Sequence, residues 1–377
     1  MLPRPTFLTE AVLPLASSTN DPYRTGLKYV AEQATDFDTR AHQGPLVLEG
    51  IPLYQDPSRC SEAFHMLEGL SEVNVIKPGR YASETCLTAP ILLLRKGKRL
   101  SPDKLDWGIV RRTRQMIAPY TRVTNAYTLS PAQEDNRTVP LQVSINSIDI
   151  LALAFRTDAE QVLDATIQRL YWDLTAIWEL TKGNVVFVLE SPIVHLIATA
   201  THCKARSVIN WFAGAFLRVL GALPDGAKWG FHFCNRRIAS WTRLDTSIAR
   251  LAQLPQVVHD FQWTVKLSNF LLDYFETHGF SPTFVHYPLV LEDRRPNFSK
   301  QGFLQFKNLR VADSTRVYFG AVHPQCKVKE LVYLYQWLDD LLKRREGSVG
   351  VSPSCGWGLS TKEEMTKSFA LMRTIAY

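Results

Sequence analysis

"AKWGFHFC", residues 227–234, reads as a short β-strand that is apolar on both sides. His232 and Cys234 are two residues apart and therefore share a face, whereas Trp229, three residues before His232, turns to the other, toward a helix layer. A strand buried on both faces belongs to a parallel sheet covered by helices. Similar runs occur at 45–54, 90–96, 140–146, 185–192, 282–288, 316–323 and 348–356, which makes eight with this one. Between them lie segments such as 158–183 and 327–346, whose apolar residues recur every three or four positions, as on one face of a helix. Ser360, followed three residues later by Glu363, marks the start of a last helix.

Eight strands alternating with helices predict an α/β chain folded as a (β/α)8 TIM-like barrel. The 377 residues fit one such domain, with residues 1–44 an N-terminal extension to which no structure is assigned. A doubly wound open sheet is the other arrangement of these elements, but no G-x-G-x-x-G opens a helix.

Hydrophobic residues make up 46% of the chain and charged residues 21%, the balance of a globular protein with a sizeable core. The net charge of +7 is spread along the sequence, with small clusters at 95–99 and 343–346 and no nucleic-acid recognition motif. The clusters read as solvated helix ends and loops rather than a nucleic-acid stripe, and a small anionic substrate stays open. No apolar run reaches the roughly 20 residues needed to span a bilayer, and Glu10 and Pro14 interrupt the apolar N-terminus. The expectation is a soluble, cytoplasmic protein without a membrane partner. Six scattered cysteines do not make a disulfide framework.

The chemistry sits where the runs end. Asn146, Glu190, His232 with Cys234, His286, His323 and Cys355 fall at or near the C-terminal ends of successive strands. In a parallel barrel those ends form one mouth, so residues distant in sequence converge there. An imidazole and two thiolates are a donor set suited to Zn2+. The alternative from the residues alone is two buried, inert cysteines, because no C-x-x-C pair is present. Cys60, Cys86, Cys203 and Cys326 show no partner pattern and read as packing or surface thiols, with Cys326 notable for lying three residues beyond His323.

From about residue 140 onward the chain resembles the catalytic barrel of cobalamin-independent methionine synthase and its single-barrel relatives, in the superfamily that also holds uroporphyrinogen decarboxylase. "LPDGAKWGFHFCN" is similar to the family's H-x-C strand, "VYFGAVHPQ" to its strand ending in a histidine, and "VGVSPSCGWG" to its last strand with a zinc cysteine. The resemblance implies zinc held by His232, Cys234 and Cys355, and His323 as the group that protonates a leaving group. It implies transfer of a methyl or larger alkyl group, for example from a reduced folate, to a substrate thiol held as its thiolate.

The departures are as informative. Thr283 stands where relatives have a zinc-binding glutamate, in "TFVH" against E-Y-V-H. His286 replaces that ligand only if the strand bulges or ends there, because an offset of three residues reverses the face. In "FVLESP", Glu190 and Ser191 stand for the family's aspartate and glutamate, so an ammonium group is recognised by one longer carboxylate. Trp357 is a candidate wall for a flat substrate, and Asn146 and Asn235 are candidate polar contacts. The altered ligand set points to specialised metabolism rather than methionine synthesis. Two further readings stay open: a lyase, cyclase or ring-opening enzyme on the same zinc barrel, and a metal-free binding barrel without catalysis.

Overall fold

The computed structural model describes residues 6–7, 109–110, 113–114, 141–145, 148, 159–233, 261–290, 298, 300–343, 349–353, 367–368 and 371. Its strands are β1 (Thr6–Phe7), β2 (Leu141–Ile145), β3 (Val185–Glu190), β4 (Lys228–His232), β5 (Phe284–Pro288), β6 (Arg316–Val322) and β7 (Val349–Pro353). The helices are α1 (Ala159–Thr181), α2 (Pro192–Ala200), α3 (Arg206–Leu220), α4 (Phe261–Thr277), the single turn α5 (Lys300–Phe303) with a 3-10 turn at Leu304–Asn308, and α6 (Val328–Leu342). The runs at 45–54 and 90–96 and the capping box at Ser360 lie outside the described residues.

All six pairings in the sheet are parallel, in the order β1-β7-β6-β5-β4-β3-β2. Apart from β1, which stands beside β7, neighbours in the sheet are neighbours in sequence, as they are in a (β/α)8 barrel, and among the described residues β1 and β2 are its two edges. Thr6–Phe7, inside the segment read from sequence as an extension, is a strand paired with β7.

Burial divides the strand residues by parity. On one face Val185, Phe187, Leu189, Trp229, Phe231, Phe233, Val285, Tyr287, Val317, Phe319, Val349 and Val351 join the main core with the helices. On the other, Val186, Val188, Phe284 and Tyr318 form a separate buried cluster drawn from β3, β5 and β6. Side chains on next-nearest strands meet easily only on the concave side of a curved sheet, since such strands stand about 9.6 Å apart when flat. Glycine makes room for this inner layer. A Cβ on Gly230 would come within 2.4 Å of the Phe284 ring, and one on Gly350 within 1.8 Å of the Tyr318 ring.

The helices follow their periodicity. Along α1, Leu163, Leu170, Leu174 and Ile177 are buried, while Tyr171 and Trp172 face solvent. Arg218 of α3 pairs with Glu160 and Asp164 of α1, and the Trp211 indole donates to Glu160, so polar contacts tie the two outer faces together. At α6 the Glu330 carboxylate accepts the Lys327 amide at 3.2 Å, and left-handed Lys343 (φ 47°) ends the helix. Trp229 packs edge-on against Phe275 of α4, on the helix side as its offset from His232 requires. Among the described residues no helix is long and apolar enough to cross a membrane.

Candidate functional site

Parallel pairing brings the C-terminal ends of β3 to β7 to one end of the sheet. There Glu190, His232 and His286 are successive Cα partners across β3, β4 and β5. The rings of His232 and His286 stack with centroids 4.5 Å apart and planes inclined by 24°. Their Nδ1 atoms lie 2.5 Å apart, and the Ser352 hydroxyl on β7 is 2.8 Å from His286 Nε2. All three side chains are buried. Three strands, β4, β5 and β7, thus contribute to one hydrogen-bonded chain that passes over β6, which the concave inner face makes possible.

His286 reaches this side without a bulge. It shares parity with Phe284, whose ring belongs to the inner cluster, and sits in register with His232. Thr283 is the residue that leaves the face. It is half-buried just before β5, where its amide donates to the Trp229 carbonyl at 2.7 Å and its carbonyl accepts from Arg316 at 3.0 Å. Three strand residues span about 10 Å, so Thr283 stands at the opposite end of β5 from the histidine pair.

His323 depends on an irregularity. In β6, Gly320 pairs with Ser352, but Val322 pairs with Pro353, so two steps on β6 match one on β7. The extra residue interrupts the alternation: Ala321 and Val322 both join the outer core, and the buried His323 follows them, at a position for which an unbroken period of two predicts the outer face. Its Nδ1 accepts the Gln325 amide at 3.2 Å, which leaves the proton of the neutral ring on Nε2. Cys326 plays no part here. Its thiol is buried, donates to the Ala321 carbonyl at 3.6 Å, and is pushed up to about 11 by burial, so it is a packing residue. Beside it, burial raises the Tyr335 hydroxyl, which donates to the Phe319 carbonyl at 2.5 Å.

Glu190 is half-buried beside His232. Ser191 caps α2 ahead of Pro192 and is buried, and among the described residues its hydroxyl has no hydrogen-bond partner. Asn146, Cys234, Asn235, Cys355 and Trp357 lie outside the described residues. Ser352 was not singled out from sequence. The available signal was a hydroxyl at the close of an apolar strand, two residues after the glycine that admits the Tyr318 ring.

Among the described residues no group of three His, Cys, Asp or Glu side chains is placed to hold a metal. His232 and His286 are nonetheless imidazoles of the donor type that suits zinc, and they are the two described residues that would hold such an ion here. Ser352 stands where a metal-bound imidazole needs an acceptor for its other N–H. Ser352→Ala leaves His286 Nε2 without this partner in a buried position and lowers unfolding stability by about 1–3 kcal/mol, measurable by urea denaturation at pH 7.

In parallel α/β sheets the C-terminal strand ends are where ligand-binding and catalytic groups are commonly carried, and that is the end at which these polar groups gather. No protein-family model and no curated protein matches the chain. Several solved structures are similar to it, two of which are described. One is a vitamin-B12-independent methionine synthase-like protein from Listeria monocytogenes, at 9% identity and a TM-score of 0.44 over 71% of this chain and 68% of that one. The other is a B12-independent methionine synthase from Shewanella sp. W3-18-1 in complex with selenomethionine, at 9% identity and a TM-score of 0.45 over 71% of this chain and 65% of that one.

Proposed function

We propose that this chain is an enzyme of alkyl, in particular methyl, transfer to a substrate thiol, using zinc held at the C-terminal strand ends. The observation that supports it most is the buried His232–His286–Ser352 chain, in which two imidazole Nδ1 atoms meet at the C-terminal strand ends. Cys234 follows His232 by two residues, and Cys355 follows Ser352 by three, so both thiols continue directly from strands of this site. His232, His286, Cys234 and Cys355 would hold the metal. Zinc supplies a way to keep a substrate thiol ionised at neutral pH, where a free thiol of pKa about 8.5 is mostly protonated.

The remaining roles belong to the chain itself. His323, with its proton on Nε2, would deliver that proton to the leaving group. Glu190 would hold a cationic group of the substrate, with the Ser191 hydroxyl, Asn146 and Asn235 as neutral contacts and Trp357 as an apolar wall. Ser352 orients His286. The substrates would be a small thiol and an alkyl donor such as a reduced folate. The exchange of an anionic ligand for a neutral imidazole supports a role in specialised metabolism, and the scattered cysteines support a cytoplasmic location.

That same exchange favours a second reading. Two thiolates and two neutral imidazoles offset less charge than a set with a carboxylate, which strengthens the ion as a Lewis acid and suits a lyase or ring-opening reaction. Metal analysis and product analysis separate the possibilities. Protein purified without chelator should carry about one zinc per chain, Cys234→Ser and Cys355→Ser much less, and a methyl-folate with a small thiol should give the S-methyl product by mass spectrometry. One zinc without thiol methylation moves the assignment to the second reading. Metal-free protein whose thermal midpoint is indifferent to chelation refutes both, because a ligand of the folded state must raise stability.

A further inference from the structure

A second cavity lies in the helix layer and shares no residue with the strand-end site. Its volume is about 410 Å3, and its lining is Cys203, Arg206, Ile209, Asn210, Lys266, Leu267 and Phe270. The turn after α2 forms one wall. Its backbone is reversed by His202 (φ 52°) and Cys203 (φ 56°), and the Cys203 amide donates to the Ala198 carbonyl at 2.7 Å. Arg206, Ile209 and Asn210 follow at helical spacing on the first turns of α3, and Lys266, Leu267 and Phe270 face them from α4.

Charge and polarity divide this lining in two. Ile209 and Leu267 are buried and Phe270 is 36% exposed, which makes an apolar floor open on one side. Its cations are Arg206 and Lys266, and among the described residues none that lines it is acidic. Lys266 Nζ lies 5.2 Å from the centre of the Trp263 ring, which holds the ammonium group at the rim. The field of both cations, to which the positive end of α3 adds, acts on one small space.

We propose that this cavity binds a small amphipathic organic anion, a carboxylate with an apolar chain or ring. The head lies between Arg206 and Lys266, and the apolar body on Ile209, Leu267 and Phe270. The volume is in the range of small-molecule sites, and the pairing of apolar residues with two cations in one lining selects against neutral and cationic ligands.

Decanoate, with decanol as its neutral counterpart, tests this on the full chain by titration calorimetry. Saturable binding of decanoate, at least about tenfold tighter than decanol, is expected, and Arg206→Gln/Lys266→Gln should reduce decanoate affinity by about tenfold or more while leaving decanol unchanged. Both substitutions are of exposed side chains, and circular dichroism verifies the fold. In the unmodified protein, decanoate should also slow alkylation of Cys203 by N-ethylmaleimide at least fivefold, read on the Cys203 peptide by mass spectrometry. Equal binding of decanoate and decanol, undiminished decanoate affinity in the double variant, or an unchanged Cys203 rate overturns the proposal.

Discussion

Gly350→Ala lowers the thermal midpoint by at least about 5 °C and stability by about 3 kcal/mol or more. The new Cβ would lie 1.8 Å from the Tyr318 ring, a separation that real contacts do not show. Tyr318 is fully buried on the inner face and in register with Gly350, so its ring has no solvent to move into. Tyr318→Val in the same chain should recover part of the loss, because removing the ring removes the clash. A double-mutant cycle between the two positions should give a coupling of about 1–3 kcal/mol. A Gly350→Ala protein within about 0.5 kcal/mol of its parent, or independent effects at the two positions, would show that the inner layer is not packed as described.

The second large effect separates the two nitrogens of His286. Asparagine places a side-chain atom near the Nδ1 position, glutamine near Nε2. With Ser352 on Nε2 and His232 on Nδ1, the working atom is Nδ1. On the proposed assignment, His286→Gln should therefore bind less zinc and lose at least about a hundredfold of any alkyl-transfer rate, while His286→Asn keeps more of both. The comparison by metal analysis and initial rates is decisive in either direction. Equal retention by the two variants would remove His286 from the site and return it to the inner core.

How much of this was legible beforehand differs from element to element. The strands from 140 onward were readable because each is an apolar run bounded by helical periodicity, and burial on both faces leaves little choice of residue. Helices α1 and α6 were readable from their apolar stripes. Thr6–Phe7 was not, because two residues carry no period, and pairing with β7 alone makes them a strand. Glu190, His232, His286 and His323 stood out because polar groups closing apolar strands are conspicuous, and parallel pairing makes the first three successive Cα partners.

The faces were harder. Alternation alone assigned His232 and Trp229 correctly, since β4 is regular and a period of two leaves no freedom. It failed for His286, because comparison with Thr283 took a residue before the strand as the reference for the face. It gave no means of placing His323, whose orientation rests on the extra residue in β6 between Gly320 and Val322. Local sequence determined which segments are strands and helices and which strand ends carry donors, because those depend on each residue's own burial and backbone preference. The Nδ1–Nδ1 contact, the reach of Ser352 across β6 and the turn of His323 were decided only by the tertiary structure. They arise from curvature and register between strands, which belong to no single stretch of chain.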